Sequence, residues 1–242
     1  MPIVLVFALF LISAPSVAST TGPQSFSAAK RMLVNIYQEL DKSTSGELST
    51  IYCGCNFHFE GKKIVPDLAG CGYEVRREGQ RNRAERIEWE HVMPAYDFGR
   101  QMTCWQEGGR KNCGKDTTFK RMEADLHNLY PAIGEVNGDR SNFGFSDWNG
   151  PSTDYGRCEM VIDFKGKKAQ PPQRSRGQIA RSYLYMEQQH NIRLSSADKR
   201  LYEAWNRMYP ADQQECKRHA HVAKAQGWPN PFIAAQCAAF KG

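Results

Sequence analysis

Apolar positions recur at helical spacing near the start of the chain and again through its last third. Ser27 can cap the first predicted helix, whose apolar face consists of Met32, Leu33, Ile36, Tyr37 and Leu40. Three further helices are predicted over Gln178–His190, from Ser196 and from Asp212. Their apolar faces indicate packing against a core, so we interpret these helices as scaffold.

Two segments between these helical regions show alternating patterns instead. IYCGCNFHFEGKKIV, at residues 51–65, predicts a hairpin that turns at residues 60–63. RIEWEHVMP, at residues 86–94, predicts a strand that Pro94 stops. Residues 101–156 are rich in Gly, Asn and Asp and show little periodicity, which predicts a long irregular segment of a kind that is often functional.

The first 18 residues predict a secretory signal peptide. An apolar run over Ile3–Ile12, too short to span a bilayer, is followed by small residues that end at Ala18. Cleavage there would leave residues 19–242 as one domain in the periplasm or the medium, with no apolar stretch long enough to span a membrane. In an oxidising compartment the 8 Cys favour four disulfides, although Cys53 and Cys55 are too close to pair with each other.

Positive charge exceeds negative charge, with 32 Lys and Arg against 26 Asp and Glu and a net charge of +6. Such a balance suits an anionic partner but does not by itself indicate one. Residues 165–177, KGKKAQPPQRSRG, concentrate basic side chains in a predicted loop. This loop is either a solvated segment or an arm that binds nucleic-acid phosphates through Lys167, Lys168, Arg174 and Arg176.

RIEWEHVMP places Glu88, Glu90 and His91 among bulky apolar residues. Two carboxylates two positions apart on a strand cannot flank a sugar, which disfavours a glycosidase. Glu90 and His91 point to opposite faces of an ideal strand, so they can serve one site only if the backbone bends. A strand end before Pro94 would allow that bend.

A second polar group lies in DLHNLYPAIGEVNGDRSN, at residues 125–142. Pro131 suits the first turn of a short helix and Gly138 suits its end. Asn137 would lie near the finish of this helix. Asn128 would precede it, in a loop or as a cap.

Together the two segments resemble the ββα-metal finger of the bacterial endonuclease I family. The likeness continues in the family's order through CGYEVR, RIEWEHVMPA, DLHNLYPAIGEVNGDRSN, YGRCEMVIDF, RGQIARSYLYM, AWNRMYP and NPF. The resemblance implies an α+β fold: a single mixed domain, stapled by disulfides, with a mainly helical C-terminal third. The ββα finger would span about residues 84–140.

The resemblance also implies roles for six residues: His91 as general base, Glu90 and Asn137 as metal ligands, Arg110 at the scissile phosphate, Asn128 as a brace of the finger, and Glu123 as a supporting acid. These residue types suit the chemistry, because imidazole titrates near neutral pH. Carboxylate and amide oxygens are hard ligands of the kind that Mg²⁺ prefers. One divalent cation is therefore expected, Mg²⁺ first and Mn²⁺ or Ca²⁺ as alternatives.

The implied activity is non-specific hydrolysis of double- and single-stranded DNA, and of RNA, by an exported monomeric endonuclease. Water activated by His91 would attack phosphorus, and the products would carry 5′-phosphates. The alternative from another class is a catalytically silent, secreted nucleic-acid-binding protein on the same scaffold. Mg²⁺-dependent cleavage of a plasmid would distinguish the two.

Overall fold

A computed structural model of the chain describes residues 22–44, 48–61, 63–148, 150–152 and 154–240. The predicted signal peptide, residues 1–18, lies outside these ranges. The chain mixes helices and short strands, as the sequence predicts. Within the described ranges, none of the helices combines the length and the apolarity that a membrane span requires.

Short helices and strands lie between a long first helix and the longer helices near the C-terminus. The helices are α1 (Phe26–Thr44), α2 (Leu68–Cys71), α3 (Arg81–Ala84), α4 (Ala95–Gly99), α5 (Thr103–Gln106), α6 (Gly109–Cys113), α7 (Thr117–Glu123), α8 (Gly134–Arg140), α9 (Gln173–His190), α10 (Ser196–Met208), α11 (Gln213–Gln226) and α12 (Pro231–Cys237). The strands are β1 (Phe57–Glu60), β2 (Lys63–Pro66), β3 (Ile87–His91), β4 (Leu129–Ile133), β5 (Gly144–Phe145), β6 (Val161–Asp163) and β7 (Lys168–Gln170). Short 3₁₀ turns cover Glu78–Gln80, Leu126–Asn128 and Ala238–Phe240.

The predicted helices of the first and last parts of the chain are confirmed, with small shifts at their ends. The Oγ of Ser25 accepts a hydrogen bond from the backbone N–H of Ala28 at 3.2 Å, so α1 is capped by Ser25 and not by Ser27. Ser195 and Asp212 cap α10 and α11 in the same way. The predicted hairpin is β1 paired antiparallel with β2.

Two segments whose composition predicts irregular structure contain regular elements. The predicted basic loop at residues 165–177 contains strand β7, and helix α9 already begins at Gln173. Pro171 and Pro172 separate the strand from the helix, and these prolines give the whole segment the composition of a loop. Residues 101–156 contain the short elements from α5 to β5. Helices and strands of only a few residues are too short to show a periodic pattern of apolar positions in the sequence.

Strand β4 corrects the prediction for Pro131, which does not begin a helix. Strands β3 and β4 pair antiparallel, with Trp89 opposite Pro131 and His91 opposite Leu129. Proline is tolerated at this position because it lies at a strand edge, where no carbonyl of a neighbouring strand requires an N–H donor. Helix α8 begins directly after β4 at Gly134 and continues past Gly138 to Arg140. Strand β3, strand β4 and helix α8 follow one another in that order, with α4 to α7 between the two strands.

Two apolar clusters lie on either side of this unit. The larger includes Met93, Ile133, Val136 and Tyr183, and the smaller joins α1 to Leu129. Four disulfides connect the surrounding segments, as predicted: Cys53–Cys158, Cys55–Cys71, Cys104–Cys113 and Cys216–Cys237. They use all 8 Cys of the sequence.

Candidate active site

A cavity of about 680 Å³ opens beside β3 and α8. Four of the predicted site residues line it: Glu90, His91, Arg110 and Asn137. Strand β3 ends at His91, so strand alternation no longer separates the two neighbours Glu90 and His91, and both reach the cavity. Other lining residues come from the start of α1, from β3 itself and from α4, α5 and α8.

The imidazole of His91 is held in one tautomer. Its Nε2 lies 2.8 Å from the backbone carbonyl oxygen of Glu123. A carbonyl oxygen can only accept, so Nε2 carries the hydrogen and Nδ1 keeps its lone pair. Burial lowers the pKa of His91 to about 4, and the positive charges of Arg110 and Arg140 act in the same direction. The ring is therefore neutral at neutral pH and able to accept a proton at Nδ1.

Glu90 is buried, and only one of its oxygens is used by the surrounding protein. Oε1 accepts hydrogen bonds from the Tyr52 hydroxyl at 2.6 Å and from Nη1 of Arg140 at 2.8 Å. Burial raises the pKa of Glu90, while Arg140 and Tyr52 lower it in part. Oε2 accepts no hydrogen bond from any residue that the structure describes. This second oxygen is available to a ligand.

Arg140 is a site residue that the sequence analysis missed. Its fully buried guanidinium also donates to the carbonyl oxygens of His91 at 3.0 Å and Val92 at 2.8 Å. It therefore ties the end of β3 to α8, three positions after Asn137. The sequence signal was an Arg one helical turn from a predicted ligand, and nothing in the pattern indicated that it would be buried.

Glu88 orients the side-chain amide of Asn137. The Nδ2 of Asn137 donates to Oε2 of Glu88 at 2.9 Å. Burial raises the pKa of Glu88, but hydrogen bonds from Arg83 and Arg86 outweigh it, and the net pKa is lowered. An ionised carboxylate can only accept, so it selects the NH₂ group of Asn137 and turns Oδ1 away from itself. Glu88 is a second functional residue to which the sequence analysis gave no role.

Arg110 and His91 share one partner, Glu123. The Nε and Nη2 of Arg110 donate to Oε1 of Glu123 at 2.9 and 2.6 Å. The guanidinium side chain is 54% exposed, so it can also reach a bound anion. Glu123 thus fixes the arginine through its carboxylate and the histidine through its backbone carbonyl.

Asn128 lies behind the end of β3. Its Oδ1 accepts from the Met93 N–H at 2.7 Å, and its Nδ2 donates to the Met93 carbonyl at 2.9 Å. The side chain is fully buried. These paired bonds hold the segment that follows His91 against the start of β4, which is the contact that a bracing residue would make.

The four residues of 165–177 that are predicted to bind phosphates do not line this cavity. Arg176 is buried and forms paired hydrogen bonds with Asp147 at 2.9 and 3.0 Å, while Arg174 donates to the carbonyl oxygen of Tyr52. The ammonium of Lys168 lies 4.3 Å from the Trp148 ring, and Lys167 has a left-handed φ of 52° in the turn before β7. Their contact with nucleic acid stays a prediction.

The available oxygens fit a hard divalent cation. Across the described ranges, no group of three or more His, Cys, Asp and Glu residues could hold a metal ion. Glu90 and Asn137 line one cavity, and Oε2 of Glu90 and Oδ1 of Asn137 accept no hydrogen bond from described residues. Mg²⁺ commonly takes one or two protein oxygens and leaves its other positions to water and substrate phosphates.

Comparisons with known proteins show the family to which this sequence belongs. The sequence model of the endonuclease I family matches residues 25–237. The chain is 55% identical over 228 residues to the periplasmic deoxyribonuclease of Aeromonas hydrophila, covering 94% of this chain and 92% of that protein. It is 45% identical over 214 residues to endonuclease-1 of Buchnera aphidicola subsp. Acyrthosiphon pisum (strain APS), covering 86% and 84%. It is 30% identical over 236 residues to the extracellular endonuclease of Pseudomonas fluorescens biotype A, covering 93% of each.

These matches place the chain in the nuclease class of hydrolases. Within that class it belongs to the endonuclease I family, since the family match covers nearly the whole described chain.

Proposed function

We propose that this protein is an exported endonuclease that hydrolyses DNA, and also RNA, with the help of one divalent cation. The proposal rests on one cavity lined by a neutral imidazole, an exposed guanidinium and two side-chain oxygens that accept no hydrogen bond from described residues. A phosphodiester is anionic and reacts slowly with water. Its hydrolysis therefore needs a base and positive charge at the phosphate.

His91 is the base in this proposal. Its Nδ1 takes a proton from a water molecule, whose oxygen attacks phosphorus as the bond to the 3′ oxygen breaks. The departing 3′ oxygen takes a proton from a second water molecule, so the products are a 3′-hydroxyl and a 5′-phosphate. Glu123 and Asn128 keep the ring and the following backbone in position during this step.

Glu90 and Asn137 would hold the cation, with Oε2 and Oδ1 as the oxygens available to it. When bound, a divalent cation supplies positive charge to the phosphate and to the departing oxygen. Arg140 and Glu88 keep the two ligand side chains oriented. Arg110 donates to a phosphate oxygen, where its charge stabilises the transition state most.

Substrate and location follow from two further observations. Relatives at 55% identity are named periplasmic and extracellular deoxyribonucleases, which supports DNA as substrate and export of this chain. Four disulfides suit an oxidising compartment. Hydrolysis of RNA, Mg²⁺ as the ion and a monomeric state are proposed on the family resemblance.

Incubation with supercoiled plasmid tests the proposal. With Mg²⁺ we expect nicked circles and then fragments, and with EDTA we expect intact plasmid. Oligonucleotides labelled at either end should show 5′-phosphate products, and a single-stranded RNA should also be cut. A shifted plasmid band without cleavage at any Mg²⁺ or Mn²⁺ concentration would instead identify a silent binding protein.

A further inference from the structure

The first turn of α1 forms one wall of the active-site cavity, although it is distant in sequence from the family's metal finger. Phe26 and Lys30 both line the cavity that contains Glu90, His91 and Asn137. The Phe26 ring lies 4.6 Å from the His91 ring, centroid to centroid. The ammonium of Lys30 lies 4.8 Å from the centroid of the Phe26 ring. The Phe26 ring therefore contacts both the His91 ring and the ammonium of Lys30.

Lys30 differs from the other charged residues of the cavity in having no ionic partner among the residues that the structure describes. Glu88 is paired with Arg83 and Arg86, Glu90 is paired with Arg140, and Arg110 is paired with Glu123. Lys30 is exposed and forms no salt bridge with any residue in the described ranges. Its contact with an aromatic ring is weak at an exposed site. The positive charge of Lys30 is thus uncompensated at the edge of the cavity.

We propose that Lys30 binds a backbone phosphate next to the scissile one, so that α1 forms part of the substrate site. This inference rests on the proposed function. Phosphates follow one another along a strand at an axial rise of roughly 3.4 Å. The ammonium of Lys30 contacts the same aromatic ring as His91, so it can bind a neighbouring phosphate while Arg110 binds the scissile phosphate. A contact of this kind increases affinity without reading sequence.

The contact predicts a defined change in salt dependence. Each phosphate neutralised by Lys or Arg contributes about 0.9 to the slope of log affinity against log salt for duplex DNA. Lys30→Ala should therefore reduce that slope by about one and weaken binding roughly tenfold near 0.1 M salt. KM should rise by a similar factor, with little change in kcat, because ground state and transition state lose the contact equally.

Lys42 supplies the matched control, since it is an exposed Lys in the last turn of the same helix and does not line the cavity. Binding is measured in the His91→Ala background with a fluorescent 20-base-pair duplex at 50–300 mM NaCl. We expect Lys30→Ala to flatten the slope, Lys30→Arg to restore it and Lys42→Ala to leave it unchanged. An unchanged slope and KM in Lys30→Ala, or equal losses in Lys42→Ala, would overturn the inference.

The binding measurement and the plasmid assay test this inference and the proposed function separately. The binding measurement involves no cleavage, so a silent binding protein would fail the plasmid assay and still show the slope change. An active nuclease whose slope is the same with and without Lys30 would retain the proposed function and lose only this contact.

Discussion

Nε2 of His91 donates to the backbone carbonyl oxygen of Glu123 at 2.8 Å, and this bond determines which ring nitrogen faces the cavity. The same residue, Glu123, holds Arg110 through its carboxylate. The end of α7 therefore positions both the His91 ring and the Arg110 guanidinium. Two other pairs follow the same pattern. Glu90 and Asn137 line the cavity, and Arg140 and Glu88 hold their side chains in place.

Glu88→Gln is expected to weaken metal binding. A neutral Gln can donate as well as accept, so it no longer selects the orientation of the Asn137 amide that leaves Oδ1 free. Loss of such an outer contact typically costs 10- to 100-fold in metal affinity. Calorimetric titration with Mn²⁺ measures the change. Glu85→Gln is the control, because Glu85 is exposed and lies outside the cavity; equal affinities for both variants would remove the role assigned to Glu88.

Arg140→Met is expected to destabilise the fold strongly. The substitution leaves the buried carboxylate of Glu90 without its charged partner, and breaking a buried pair in this way costs about 3–5 kcal/mol. Urea unfolding with the disulfides intact measures the free energy of unfolding. Adding Glu90→Gln to the same chain should recover part of the loss. Arg207→Met, at an exposed position of α10, should change little, and a similarly small effect of Arg140→Met would contradict the assignment.

The stability of the protein should fall as the pH drops from about 6.5 towards 4, in part because of His219. Its Nε2 accepts from the Asn230 N–H at 3.0 Å, and burial together with nearby positive charge lowers its pKa to about 4. The unfolded chain titrates near 6.5, so between these values it binds the proton and the folded chain does not. His219→Gln should flatten the pH dependence of the unfolding free energy over this range, and exposed His58→Gln should not. Identical pH dependence in all three proteins would refute this.

Removing the Cys104–Cys113 bridge should reduce activity more than removing Cys216–Cys237. Arg110 lies between the first pair, on α6, and the second pair joins α11 to α12. A disulfide that closes a loop of either size contributes about 3 kcal/mol to the free energy of unfolding, because it restricts the unfolded chain. Each pair is replaced by Ser, and plasmid cleavage is measured below the unfolding transition of both variants. Equal activities of the two folded variants would show that the first bridge does not support Arg110.

The local pattern could place residues that lie near one another in sequence, whereas distant site residues such as Asn128 and Glu123 were assigned only through the family resemblance. Glu90 and His91 are adjacent before a strand-ending Pro, so their shared location was open to reasoning from sequence. Arg140 was not, because burial of an Arg depends on Glu90 approaching from another element.

The errors in secondary structure have a similar origin. Pro131 suits a helix start and an edge strand equally well, and only its pairing with Trp89 decides between them. The basic residues after Lys165 have the composition of one loop, although Arg174 and Arg176 lie on α9 and are engaged with the protein itself. Local propensity cannot reveal such partners.

We propose His91 as the general base, and the cleavage rate of the His91→Ala variant is the decisive test of this role. The variant keeps Glu90 and Asn137, so its Mn²⁺ affinity and its unfolding transition should resemble those of the wild type. His58→Ala, which removes an exposed His outside the cavity, is the control. We expect the plasmid cleavage rate of His91→Ala to fall by about 10²-fold or more, with His58→Ala unchanged. Near-normal cleavage by a folded, metal-binding His91→Ala protein would contradict the claim.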